Sequence, residues 1–392
     1  MGNIKSGNLG YPRIGGQREW KKQIEAYWAG KITEQELHEG LAGIRLGNLR
    51  CQRDRGIDVI PVGDFTYYDH VLDTATMFGL VPERFAWNGD KVSLDLYYAI
   101  ARGNDQAAAS EMTKWFNTNY HYIVPELGTR DPRLTVNRPL MAYLEAKQEL
   151  GIEGRPVLLG LFTLLKLSKG ETAHEVDAWI EKLLPLYVQV LRELEAVGAA
   201  WVQLDEPALV IQLTDEDVRR LGHIYRTIAR EVPGLRILMQ TYFDAAERYE
   251  ALVELPIHGL GLDFVHGAGR QPGSVAALWL SCRQDAGGGT DRRAEYLARG
   301  FGRGAEPAER DTRFSRRTRV DRTAFLQLAA RPGICGGRGA AGAGAPRSVG
   351  FCRAEAGGTD ELVRGRERGW ARAGAVRGEP PCPGRARRRS CP

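Results

Sequence analysis

No stretch of the sequence approaches the roughly 20 uninterrupted apolar residues that a membrane-spanning helix needs. The opening Met1-Gly-Asn-Ile-Lys also lacks the apolar run of a secretion signal, so no membrane partner and a cytoplasmic location are expected. Histidine and cysteine are scarce, seven and six in 392 residues, and they are unevenly placed. Every His precedes residue 278, whereas five of the six Cys (Cys282, Cys335, Cys352, Cys382 and Cys391) follow it. No two Cys have the spacing of a zinc knuckle and no His stands near to complete one, which argues against a metal module there. Lysine disappears as well: residues 278–392 hold 24 Arg, 12 acidic residues and no Lys, a net +12, with 20 Gly. Since the whole chain carries +5, the first 277 residues carry −7. So abrupt a change marks a boundary at 277/278. The Arg- and Gly-rich segment has a composition suited to nucleic acid, because Arg neutralises phosphate. Its poverty in apolar residues predicts disorder, since it buries too little surface to offset the entropy of ordering.

The first 277 residues are different in kind, with material for a sizeable core. A short strand and turn are expected at 9–14 and an amphipathic helix at 18–28. Thr33 and Glu36 form a capping box opening a helix that runs to about residue 55, where Gly56 ends it. Further strands are expected at 57–62, 156–161, 200–204, 236–242 and 259–266. Helices are expected at 94–102, 107–116, 214–232 and 244–255, with a long one capped by Thr172 and Glu175 that reaches 197 and stops at Gly198. Strands alternating with helices, with polar residues gathered where strands end, describe an α/β fold and a parallel (β/α)8 TIM-type barrel. A doubly wound sheet is the alternative. Six strands are recognisable where a closed barrel requires eight, so the barrel is expected to be incomplete, with open edges that invite aggregation.

Asp205 and Glu206 follow an apolar strand directly, and Pro207 forbids its continuation. Both carboxylates therefore stand where barrel sites are built. The competing reading has Asp205 capping the next helix and Glu206 pairing with a buried Arg. Asp64, Tyr67, Tyr68, Asp69 and His70 hold the equivalent place after the strand at 57–62, as a pocket wall or as a helix start capped by Asp64. Asp263 and His266 read as structural. Arg18 and Lys21 lie one turn apart on a helix opened by a Gly-Gly turn, a geometry for binding carboxylates or phosphates, or simply a solvated face. Lys114 sits in a segment too rich in aromatic and amide groups for an ordinary solvated surface.

Five segments carry a resemblance: Leu9-Gly-Tyr-Pro-Arg-Ile-Gly15, Arg18-Glu-Trp-Lys21, Pro61-Val-Gly-Asp-Phe-Thr-Tyr-Tyr-Asp-His70, Glu111-Met-Thr-Lys-Trp-Phe-Asn-Thr-Asn-Tyr-His-Tyr122 and Leu204-Asp-Glu-Pro-Ala-Leu209. Together they resemble the amino-terminal half of cobalamin-independent methionine synthase. The resemblance implies methyl transfer from a 5-methyltetrahydropteroyl polyglutamate to homocysteine, between two facing barrels. It also implies zinc in the carboxyl-terminal barrel, whose ligands this chain lacks, so that the chain is inactive alone. Arg18, Glu19, Trp20, Lys21 and Lys114 match the family's folate-binding positions, and cations suit a chain of γ-linked carboxylates. Asp205 and Glu206 match an acidic strand end with a structural or substrate-proximal role. A non-catalytic folate-binding module and an Arg-rich nucleic-acid binder are the alternatives, nucleic acid being the weaker.

The family's text stops near residue 277, and a shifted reading frame accounts for the residues beyond it. GC-rich codons for Arg293-Ala-Glu-Tyr-Leu-Ala-Arg299, read one nucleotide forward, can give Arg-Asn-Ile-Trp-Arg, resembling the family's seventh strand. The same shift over Asp321-Arg-Thr-Ala-Phe-Leu-Gln-Leu-Ala-Ala-Arg-Pro-Gly333 can give Pro-Ser-Cys-Ser-Leu-Leu-His-Val-Pro, resembling the eighth, and Arg347-Ser-Val-Gly-Phe-Cys-Arg-Ala-Glu355 can hide Trp-Val-Phe-Ala. Three hits in order and in one frame place a junction between Val275 and Ser281. Residues 1–277 are then the barrel and 278–392 a non-native tail.

Overall fold

The computed structural model describes residues 5–263 and 266, together with the backbone of 295–299 and 325–327. The disorder expected of residues 278–392, their five cysteines and their suitability for nucleic acid fall on residues that, but for the backbone of 295–299 and 325–327, lie outside the described ones.

The chain opens with β1 (Lys5–Gly7), α1 (Glu19–Trp28), α2 (Glu34–Asp54), β2 (Pro61–Val62), α3 (His70–Met77) and α4 (Leu94–Arg102). A hairpin of β3 (Met112–Lys114) and β4 (His121–Ile123) follows, then α5 (Arg138–Leu150), β5 (Arg155–Leu159), α6 (Leu161–Leu167) and α7 (Val176–Ala196). Next come β6 (Trp201–Asp205), α8 (Asp215–Glu231), β7 (Arg236–Gln240), α9 (Tyr249–Leu252) and β8 (Gly259–Asp263), with β9 (Glu295–Arg299) and β10 (Phe325–Gln327) beyond.

Eight strands form one parallel sheet in the order β1-β10-β9-β8-β7-β6-β5-β2. Round this sheet the strands follow chain order, as in a (β/α) barrel. Only six strands are recognisable in the sequence. β9 and β10 are short and set in Arg-rich surroundings, so they do not stand out as apolar runs, and they give β8 and β1 neighbours where open edges are expected. The ring is still not fully laddered. Between β1 and β2 there is a single parallel bridge, Gly7 to Val59, where the Val59 N–H donates to Ser6 O at 2.9 Å.

Local chemistry explains most of the helices. Thr33 Oγ1 accepts the Glu36 N–H while Glu36 accepts the Thr33 N–H, the reciprocal box read from sequence, and Gly56 at φ +73° ends the turn after α2. Thr214 and Asp217 make the same box for α8. Four expectations fail. No strand forms at 9–14: the first strand is Lys5–Gly7, and the residues after it run as turns and irregular chain to the start of α1. Thr172 does not cap α7: its hydroxyl donates to the Leu127 and Gly128 carbonyls, and Glu175 is the N-cap without a side-chain bond. Residues 107–116 are not helical, because Met112–Lys114 pairs antiparallel with His121–Ile123 and Phe116 turns the chain at φ +50°. The helix expected over 244–255 shrinks to Tyr249–Leu252, since Phe243 and Arg248 both adopt positive φ.

The outward faces of the central strands (Leu158, Val202, Leu204, Ile237, Met239, Leu260, Leu262) pack with Leu183, Leu191, Leu221, Ile224 and Ile228 of the surrounding helices. Each such buried side chain contributes roughly 1.5–3 kcal/mol relative to exposure. A second apolar cluster joins α1, α2 and α4 through Ile24, Leu37, Leu41, Tyr97 and Ile100. The alternate face of β5, β6 and β7 carries buried polar side chains, Arg155, Gln203 and Gln240, beside the apolar Leu159 and Leu238.

Candidate functional site

The polar strand ends gather at one end of the barrel. After β2 the chain turns at Gly63, and the Asp64 carboxylate accepts the Tyr11 N–H at 2.6 Å. Asp64 therefore ties the segment after β1 to the end of β2 and caps no helix. Burial pushes its carboxyl up to about 6, against the pull of the Tyr11 N–H, Arg13 and Arg155. Asp69 is the cap of α3: Oδ1 accepts from Val71 and Leu72, and Oδ2 takes the Ile123 N–H of the hairpin at 3.1 Å. His70 packs edge-on against Trp115 with ring centroids 4.4 Å apart, and burial, aided by Arg13, lowers its pKa to about 4, so the ring is neutral near pH 7. Tyr67 hydrogen-bonds His38, while the Tyr68 carbonyl accepts from Arg13.

Asp205 and Glu206 separate into two roles. Asp205 ends β6 half-buried, taking the Gln203 amide at 2.7 Å and the Tyr242 hydroxyl at 3.3 Å; burial pushes its carboxyl up to about 7 despite these donors and Arg155. It caps nothing. Glu206 is fully buried and accepts the Thr163 N–H at 2.8 Å and the Tyr225 hydroxyl at 3.0 Å. It is thus the N-terminal cap of α6, whose own N-cap residue, Gly160, has no side chain to offer. Neither carboxylate makes an ion pair with Arg155, whose Nη2 instead donates to the Asn8 carbonyl at 2.7 Å. Asp263 receives the Phe243 N–H and pairs with His266 at 2.8 Å, the structural role expected of both.

The basic groups stand next to aromatic rings. Arg18 is the left-handed N-cap of α1 (φ +61°), exposed, and Lys21 is exposed beside Glu25 at 3.5 Å. Trp20 anchors this turn by donating Nε1 to the Thr66 carbonyl at 2.9 Å, with the Arg13 guanidinium 4.8 Å over its ring. Glu19 folds back instead to accept the Gln17 N–H, filling the space beside Gly15. Lys114 is exposed at the end of β3, and the adjoining Trp115 and Phe116 rings meet Phe243 above the end of β7. Among the described residues neither Arg18 nor Lys114 has an ion-pair partner.

Residues 5–279 match the model of the cobalamin-independent synthase N-terminal domain. The chain belongs to that family. It is 52% identical over 264 residues to the 5-methyltetrahydropteroyltriglutamate–homocysteine methyltransferase of Listeria monocytogenes serotype 4b, covering 67% of this chain and 34% of that protein. Identity to the enzyme of the same name from Halalkalibacterium halodurans is also 52%, over 263 residues, with 67% and 35% covered. The chain therefore spans about a third of the length of these curated relatives. A solved B12-independent methionine synthase from Shewanella sp. W3-18-1, in complex with selenomethionine, is similar with a TM-score of 0.48 and 15% identity, over 70% of this chain and 75% of that one.

Within this synthase domain the described donors do not fit a zinc ion. No group of three His, Cys, Asp or Glu among the described residues could hold a metal, and Cys51, the described cysteine, lies 2.6 Å from the Arg55 guanidinium. Among the described residues no helix is long and apolar enough to cross a membrane. Sequence reasoning missed Arg155, Tyr242 and Phe243. Arg155 opens its strand behind Gly154, and a charged residue there reads as a flank; it is visible as an interior group only once β1 is seen beside it.

Proposed function

We propose that this chain is the part of a methyl-transfer enzyme that holds the polyglutamate tail of 5-methyltetrahydropteroyl triglutamate, the methyl group passing to homocysteine to give methionine. The observation that supports the reading is that Arg18 and Lys114 are exposed without an ion-pair partner among the described residues, beside turns seated by Trp20 and Trp115. Exposed cations on seated turns attract successive carboxylates without first breaking strong internal ion pairs. Asp205 and Asp64 shape the polar floor beneath. Thiol activation belongs to zinc, which in this reading is bound by the remaining two thirds of a full-length enzyme; this chain's residues bind and orient the folate.

Calorimetric titration of the full chain with triglutamyl and monoglutamyl folate tests this. A clear preference for the longer tail, weakening with salt, is expected; equal affinities would remove the proposal. With homocysteine and added zinc, methyl transfer by this chain alone is expected to be undetectable, and measurable turnover would refute the division of labour.

A further inference from the structure

Two of the five non-glycine residues with positive φ among the described residues, Phe116 (+50°) and Phe243 (+84°), touch each other, with ring centroids 5.6 Å apart. A glycine would take either conformation without strain, so the rings hold these backbones where an L residue is disfavoured. Phe243 is fixed from below. Its N–H donates to Asp263 Oδ2 at 3.0 Å, and the Tyr242 ring stands edge-on to it at 4.7 Å with its hydroxyl on Asp205. Phe116 is two residues beyond Lys114, and Trp115 between them touches both Phe243 (6.4 Å) and His70 (4.4 Å). The ends of β7 and β8 thus reach the tip of the β3–β4 hairpin through Phe243 and its contacts with Phe116 and Trp115, while Asp69 holds the hairpin's base through the Ile123 N–H.

We infer that Phe243 and Phe116 are positioning residues that seat the hairpin on the barrel mouth and so set where Lys114 meets an anionic ligand. The inference rests on the proposed polyglutamate reading for its ligand, but the seating of the hairpin is a property of the chain itself. Without the Phe243 ring, the hairpin tip loses its contact with the ends of β7 and β8 and keeps only the Trp115–His70 contact, so that Lys114 samples positions in which its charge is wasted on solvent.

The test compares Phe243→Ala with the conservative Phe243→Tyr in the full chain, by two readouts. Amide hydrogen exchange over residues 112–123 is expected to quicken in the Ala variant while α7 and α8 keep their protection, which separates local release from unfolding. The ratio of triglutamyl to monoglutamyl affinity is expected to fall by up to about fivefold, the size of one exposed ion pair, with monoglutamyl affinity unchanged and the Tyr variant restoring both readouts. Unchanged exchange in the hairpin overturns the inference, as does faster exchange with an unchanged ratio. If the wild-type chain shows no triglutamyl preference, it is the proposed function that fails, and the exchange readout alone decides the seating.

Discussion

Gly160 and Glu206 share one volume: a Cβ built on Gly160 would lie 2.1 Å from the Glu206 carboxyl carbon. The glycine leaves room for a carboxylate from the next strand's end to cap α6 through the Thr163 N–H. Gly160→Ala is expected to destabilise the chain by about 1–3 kcal/mol through overpacking. Glu206→Ala is expected to cost about 1–3 kcal/mol by leaving the Thr163 N–H and Tyr225 hydroxyl unpaired in the core. Because the added methyl would occupy the space the carboxylate vacates, the double variant should lose less than the sum in urea denaturation. Strict additivity would show that the two sites do not share that space.

Acid–base linkage has a definite sign here. A carboxyl raised in the folded state binds its proton more readily folded than unfolded, so stability falls as pH climbs from its unfolded pKa to its folded one. Asp205, pushed from 3.8 to about 7 by burial, destabilises the fold over that window, as do Asp64 and Glu206. His70, lowered to about 4, acts oppositely between about 4 and 6.5, where the unfolded chain binds the extra proton. Asp205→Asn should therefore flatten the decline in urea midpoint between pH 4 and pH 7. A slope identical to wild type would mean that Asp205 titrates as though exposed.

Legibility in the sequence tracks the range of the interaction. The Thr33–Glu36 box and the stop at Gly56 depend on neighbours within four residues, and the sequence states them outright. The 112–123 hairpin is hidden because its aromatic run has no turn dipeptide, and only pairing with β4 reveals the strand. Asp205 stands out at a strand end from sequence alone, whereas the role of Glu206 does not: its partners, Thr163 and Tyr225, lie 43 and 19 residues away. Asp64 escapes for the same reason, since its partner Tyr11 lies 53 residues away, whereas Asp69 caps α3 through its near neighbours Val71 and Leu72.

Charge at the rim should be readable one residue at a time. Arg18→Ala and Lys114→Ala are each expected to weaken triglutamyl folate binding by about 0.5–1 kcal/mol, a factor of roughly two to five, since exposed pairs contribute little individually. Lys21→Ala should do less, its ammonium already facing Glu25. All three effects should shrink as salt rises toward 0.5 M, where the screening length drops to about 4 Å. Titrations at two ionic strengths check this, and losses insensitive to salt would point to misfolding of the turn in place of a missing charge.

The last prediction concerns the coding DNA. The family match ends at residue 279, inside the window from Val275 to Ser281 where the composition turns Arg- and Gly-rich and the charge changes sign. A genuine appended module would have no reason to hide family-like text, whereas a one-nucleotide shift displaces every later codon and leaves the old text readable in a neighbouring frame. The segments around β9 and β10 are where the seventh and eighth strands of the family would then be found. Sequencing the DNA from codon 270 onward is expected to give Arg-Asn-Ile-Trp-Arg opposite residues 293–299 and Leu-Leu-His-Val-Pro opposite 321–333, in one shared frame. Restoring that frame should extend the family-like text through both strands and toward the length of the relatives. If the shifted frame yields stop codons or unrelated text, residues 278–392 are a real Arg-rich appendage, and the isolated peptide should then be assayed for salt-dependent binding of random DNA.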